Sequence, residues 1–254
     1  MPQPSTTTNP SIQAMVLVTV KMAAKFSLSN PTRPIRVGVV LMNGVTELLN
    51  IAPVGMLHGL SKDFVESFPD ELLAPSLKAQ AVDFKFHWVS EAGEAAHSRL
   101  SGGMSILPMD SFQSCPSLDI VLVGTHNFGY TPNAAELAFI RKCWDECSAF
   151  LTVSGGVQVP LLAGLLEGKT ATGPRSMLGM LRREAPGTNW VERRWARDGR
   201  LWTSGALLNG TDLLNAFAHE YWGKGEVGSL VGVLSRMGAW PSREVEYQDV
   251  LWKV

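Results

Sequence analysis

The chain has 254 residues, 45% of them hydrophobic and 18% charged, enough for one generous α/β domain and too few for two comfortable ones. That mix excludes disorder over most of the length. A net charge of -1 and a pI of about 6.5 give no electrostatic ground for nucleic acid or anionic lipid as a partner, and point to a small molecule or a protein.

Three cysteines, Cys115, Cys143 and Cys147, form no disulfide framework. An odd count without framework spacing implies a reducing compartment, and the cytoplasm is the expected location. Cys143 and Cys147 stand four apart on one helix face, with too few ligands nearby for a metal. They read as packing residues, and no cofactor is called for. No apolar run reaches the roughly 18–20 residues that span a bilayer. Residues 1–34 carry five prolines and many Ser and Thr, with no acid before Glu47. They are expected to be a disordered or leader segment, either a transit peptide or the product of an early start with Met22 as the true beginning. Residues 35–254 are expected to form the single domain.

In chain order, 35–42 (IRVGVVLM) is a β-branched apolar run, the mark of a strand buried on both faces of a parallel sheet. A turn at Asn43-Gly44 leads into a helix over 47–60, with Pro53 near its start. Residues 85–89 alternate as a second strand, and 118–123 (LDIVLV) form a third that ends at Gly124. Apolar residues at helical spacing, Leu137, Ile140 and Trp144, predict a helix over 133–147. Residues 149–153 (AFLTV) are the next strand, broken by Ser154-Gly155-Gly156, and a helix follows over 157–166 up to Gly168. Strands over 190–194 and 201–204 and a helix over 212–222 complete the pattern. Strands alternating with helices imply a parallel sheet with right-handed crossovers.

Sites in such sheets form beyond the carboxyl ends of the strands. Three ends are chemically marked: Gly44–Asn50, Gly124–Asn127 and Ser154–Gly156. The last reads in two ways. A serine between a buried strand and a helix is either a nucleophile presented on a sharp turn or an ordinary helix cap. Gly155 and Gly156 relieve the turn, and their amides face any oxyanion placed there.

The stretches A-F-L-T-V-S-G-G, A-G-L-L-E-G-K-T-A-T-G and L-W-T-S-G-A-L-L-N-G-T-D-L, with the opening strand and its acid-bearing loop, resemble the ThiJ/PfpI (DJ-one) family. The likeness runs from about Ile35 to Trp222, and is nearest to a fungal-type branch. It implies a flavodoxin-like three-layer sandwich, akin to class I glutamine amidotransferases, with a mostly parallel sheet and a nucleophile-elbow turn. Such proteins are often homodimers that need no cofactor. Family activities include isonitrile hydration, glyoxalase-type hydration, chaperone or deglycase roles, and proteolysis.

Ser154 stands where the family keeps its cysteine. A thiol becomes a thiolate with modest help, whereas a serine needs a real general base. The family histidine is replaced by Pro174, followed by Arg175. The family acid lines up with Asn50, and Glu47 sits one turn earlier. Gly124-Thr125-His126-Asn127 occupies the place of a common Gly-Gly oxyanion donor. The candidate catalytic residues are therefore Ser154, His126, Glu47 and Asn50, and the candidate substrate or oxyanion contacts are Gly124, Thr125, Gly155, Gly156, Arg175 and Thr203. His126 is either a base or a loop histidine bonded to backbone. Glu47 is either a site acid or a solvated first-turn acid. Arg175 either clamps a substrate anion or pairs with Glu184. Trp202 is a pocket wall or part of the core and interface. Two functions follow: a small-molecule hydratase, lyase or isomerase working by acid/base chemistry and oxyanion stabilisation, or a catalytically silent binding, chaperone-like or regulatory dimer.

Overall fold

The computed structural model describes residues 25–223 and 228–250. The questions of a transit peptide and of Met22 fall on residues outside this set. Seven strands make the central sheet: β1 (Ile35–Val40), β2 (Phe84–Ser90), β3 (Asp110–Ser111), β4 (Ile120–Val123), β5 (Ala149–Thr152), β6 (Trp195–Asp198) and β7 (Leu201–Ser204). Their spatial order is β6-β7-β5-β4-β1-β2-β3. Every neighbouring pair is parallel except the β6–β7 hairpin.

Side chains alternate across this sheet, so its central strands feed two cores. Val37, Val39, Ile120, Leu122 and Leu151 pack with Leu213, Leu214 and Phe217 of helix Asn209–Trp222 on one face. Val40, Val121, Val123 and Phe150 pack with Phe139, Ile140 and Cys143 of helix Ala134–Glu146 on the other. Each fully buried aliphatic side chain contributes roughly 1.5–3 kcal/mol. This is the expected three-layer sandwich with a mostly parallel sheet. The three cysteines are free and buried within it. Trp202 is only 2% exposed and stacks on Trp195, with Phe217 at its edge, so it belongs to the core and does not wall a pocket.

Several elements differ from expectation. The helix over 47–60 is broken in three, Leu48–Ile51, a 3-10 turn Ala52–Val54 and Gly55–Gly59, because Pro53 cannot donate to a continuing helix. The helix after Ser154 is cut to Gln158–Leu162, since Gly164 adopts a left-handed φ of 78° that ends a helix readily. Of the strand expected over 190–194, only Trp190 pairs, as Asn189–Trp190 against Thr170–Ala171 in a separate small sheet. The sheet edge is instead Trp195–Asp198, while the Arg194 amide donates away to Val245. Residues 25–34, expected within the leader, lie against the domain. Leu28 is 3% exposed and its carbonyl accepts the Trp222 indole N–H at 2.9 Å. Arg33 makes a bidentate pair with Asp119 at 2.7 and 2.9 Å.

Among the described residues no helix is long and apolar enough to cross a membrane.

Candidate active site

The register aligns Val40 with Val123 and Val123 with Thr152, so β1, β4 and β5 end at one level, side by side. The three chemically marked loops therefore meet. Between them lies a cavity of about 570 Å³, whose lining includes Glu47, Asn50, Thr125, His126, Ser154 and Gly155.

At its base the chain kinks. Val153 is extended, and Ser154 takes a φ of 57° at the start of a 3-10 turn through Val157. A non-glycine residue in this region costs on the order of 1–3 kcal/mol and persists only when its surroundings over-determine it. Gly156 supplies much of that constraint. A Cβ there would lie 2.6 Å from the Val123 carbonyl oxygen and 2.9 Å from the Gly124 carbonyl carbon, so β4 and the turn touch backbone to backbone. The Ser154 hydroxyl makes no hydrogen bond to any described residue. The Gly155 amide, one of the first N–H groups of the turn, likewise has no backbone partner there.

Asn50 is fully buried. Its Oδ1 accepts the Thr125 amide at 3.1 Å and its Nδ2 donates to the Leu207 carbonyl at 3.2 Å. It is a tie between three loops, not an acid/base group. The bond also commits the Thr125 amide, which is therefore no oxyanion donor. Glu47 caps the short helix Leu48–Ile51. Its Oε1 accepts from the Leu49 amide at 3.2 Å and from the Ser101 hydroxyl at 3.0 Å, while Oε2 has no partner among the described residues.

His126 lies on the wall with its ring edge-on to Tyr130, 5.0 Å between centroids. Desolvation lowers its pKa, with a weaker opposing pull from the Asn127 carbonyl and Glu136, so the imidazole is neutral at neutral pH. Its Nε2 is buried without a partner and its Nδ1 stands 3.5 Å from the Asn127 carbonyl. Shut off in this way, Nε2 is poorly placed to take a proton from a ligand in the cavity.

Four other expected contacts lie elsewhere. Arg175 pairs with Glu192 at 2.8 Å, not with Glu184, and lies against the Tyr247 ring. Its neighbours Pro174 and Ser176 line the cavity, and Arg175 does not. Thr203 is fully buried in the sheet, its hydroxyl accepting the Thr172 amide at 2.8 Å. Gly124 and Gly156 form the floor beneath the lining, where Gly124 lies against the Cβ of Asn50.

The structure adds Ser101, Tyr130, Gln158 and Leu207 to the lining. Beneath Tyr130 the fully buried Glu136 carboxylate accepts the tyrosine hydroxyl at 2.7 and 2.8 Å and the amides of Asn43 and Asn133. The capping pattern Asn133-x-x-Glu136 was the one signal for this knot. Leu207 lies in the family-like stretch 201–213, just past a strand end, while Ser101 and Gln158 had no local pattern to single them out. Among the described residues no group of three or more His, Cys, Asp or Glu is arranged to hold a metal ion.

A three-layer parallel sandwich with a strained serine at the central strand end defines a flavodoxin-like domain with its cavity over the carboxyl edge. The chain belongs to the DJ-1/PfpI family, whose model matches residues 62–220. That match leaves out β1 and the Glu47–Asn50 loop. An isonitrile hydratase from Pseudomonas putida is 33% identical over 122 residues, which cover 47% of this chain and 53% of that protein. The alignment thus spans about half of the curated relative. A ThiJ/PfpI family protein from Pseudomonas syringae superposes with a TM-score of 0.64 at 17% identity, covering 84% of this chain and 77% of its own. DJ-1 from Schizosaccharomyces pombe gives 0.60 at 13% identity, covering 82% and 100%. These two structures show the likeness of fold.

Proposed function

We propose that this protein is a small-molecule hydratase that adds water to an isonitrile-like or carbonyl-like carbon without a covalent enzyme intermediate. The observation that carries the reading is the convergence of three uncommitted polar groups on one cavity: Glu47 Oε2, the Ser154 hydroxyl and the Gly155 amide. The partial likeness to an isonitrile hydratase supports the choice of reaction. Val45, Pro174, Met177 and Leu207 on the same cavity suit the apolar substituent of an isonitrile.

With an isonitrile, Glu47 takes a proton from a water as the water oxygen bonds the terminal carbon. It then returns that proton to the same carbon. The Ser154 hydroxyl and Gly155 amide donate to the incoming oxygen and hold it in line with the carbon, and the negative charge that builds on that carbon is discharged by the returning proton. The imidic acid tautomerises, its O–H proton passing to nitrogen, and an N-substituted formamide results. Water is the nucleophile because Ser154 Oγ is hydrogen-bonded to no base that would activate it. His126, neutral and shut off at Nε2, shapes the wall.

The test is conversion of benzyl isonitrile to its formamide, followed by proton NMR. Glu47→Gln is expected to lower kcat by about a hundredfold or more, and Ser154→Ala by about tenfold to a hundredfold, as a misplaced water nucleophile does. No formamide from the unaltered chain, or full activity in both variants, overturns the reading. The same lack of a base at Ser154 favours a second reading, a binding or chaperone-like homodimer without turnover. Isonitrile bound but unchanged, by a species of twice the chain mass in sedimentation, is its signature.

A further inference from the structure

The stretch 241–250 forms no helix or strand, yet it is among the most heavily tied parts of the molecule. Arg194, its side chain 3% exposed, donates to the Glu244 carbonyl and to Asp249, each at 2.6 Å. Arg193 pairs with Glu246 at 2.7 Å. Arg243 forks onto Asp212, a carboxylate with 1% exposure, at 2.5 and 3.0 Å. The Tyr247 hydroxyl donates to Asn209 Oδ1 at 2.7 Å.

Two of these ties, those of Tyr247 and Arg243, bear on one loop, residues 205–208. Asn209 Oδ1 also accepts the Ala206 amide at 2.9 Å. Arg243 reaches the Leu208 carbonyl at 3.4 Å, and a Cβ at Gly205 would collide with the Tyr247 hydroxyl. The loop has little apolar anchorage of its own, with Leu207 39% and Leu208 53% exposed. Its position therefore depends on polar ties. On its other side it meets the cavity: Leu207 is a wall, and its carbonyl holds Asn50, which holds Thr125. Just beyond it, Gly210 lies so close to Val153 that a Cβ there would come within 2.7 Å, one residue before Ser154.

We propose that residues 243–247 are a positioning strap for the Ser154 cavity. Tyr247 and Arg243 fix the 205–208 loop from outside, and through it they set the Leu207 wall and the seat of the Ser154 turn. They are positioning residues that touch no ligand. The inference rests on reading the Ser154 cavity as the site, but not on the reaction assigned to it.

The experiment uses the full chain with Ser154→Cys to supply a reporter thiol, alkylated by iodoacetamide and by the bulkier iodoacetanilide. The three native thiols are suitable controls. All are buried, and desolvation pushes Cys115 up to about 12 and Cys147 up to about 11. Adding Tyr247→Phe removes the bond to Asn209 and keeps the ring against Arg175 and Arg194. The ratio of bulky to small alkylation rates at the reporter thiol should rise about threefold or more, the lower range of couplings between linked sites. The native cysteines should stay unlabelled. Arg243→Lys, which leaves a cation beside Asp212 and loses the fork, should move the ratio the same way.

An unchanged ratio in both variants overturns the strap. So does parallel labelling of the native cysteines, which marks global loosening. A reporter thiol that labels in no background removes the cavity on which the proposal stands. Turnover is read separately: a chain inactive on isonitrile whose labelling still follows Tyr247 refutes the hydratase and sustains the strap.

Discussion

At Ser154 the cavity wall is backbone packed on backbone, Gly156 flush against Val123 and Gly124, whereas across the opening Phe128 stands 94% exposed on a loop where a Cβ at Gly129 would meet nothing within 4 Å. The first region is specified by sterics that admit one arrangement. The second is tied at its ends, by Asn127 Oδ1 accepting the Val45 amide at 2.8 Å and by Tyr130 on Glu136, and is free at its tip. A cavity so built has a floor held by close steric contact and a rim held only at its ends.

Substitutions on the two sides should differ accordingly. Gly156→Ala forces a methyl into main chain that has no room to yield. It should destabilise by about 3 kcal/mol, as severe overpacking does, read as a lower urea midpoint. A normal midpoint would mean that the turn is looser than its contacts indicate. Asn50→Ala empties a fully buried site and leaves the part-buried Thr125 amide and Leu207 carbonyl without their partner, and should cost about 2 kcal/mol in the same assay. It should also weaken isonitrile turnover, because two walls lose their tie.

The next effect is one of pH. His126 is held neutral by desolvation, its folded pKa below the ordinary value, and His219 is lowered in the same way. Below about pH 6.5 the unfolded chain binds these protons and the folded one resists, so stability falls as the pH drops beneath that value and levels off below the folded pKa. Replacing His126 by Gln should flatten that slope in urea titrations between neutrality and mild acid. An identical slope would assign the dependence to other groups. The smallest effect belongs to the rim: Phe128→Ala should change stability by less than about 0.5 kcal/mol, while raising KM for benzyl isonitrile more than it lowers kcat. A loss of kcat alone would show that the loop tip shapes the reacting geometry as well.

How much of this was legible in the sequence depends on range. The buried strands declared themselves because four or more consecutive apolar, β-branched residues fit few other settings. The strand-to-helix break at Ser154-Gly155-Gly156 was legible because glycine is required where backbones touch. Pro53 is visible too, but a proline near a helix start is compatible both with a continuous helix and with the helix cut in three that the fold adopts. Arg175 and Thr203 lie beside or within stretches that resemble the family, but such a stretch gives a position in the chain and not the direction of a side chain. One had an acid within reach at Glu192, and the other lay on the inward side of the pleat.

The alternation of strands and helices along the chain, the sharp turn at Ser154 and the chemical character of three loop ends were set by local pattern, since backbone sterics and side-chain periodicity act over a few residues. Which of those groups face one another was decided only in three dimensions. Glu47 meets Ser101 across 54 residues and Asn50 meets Leu207 across 157, and no short-range rule links such partners. The same holds for residues 243–247, which become the proposed strap because Arg194 and Asp212, buried by the fold, need partners for their charge.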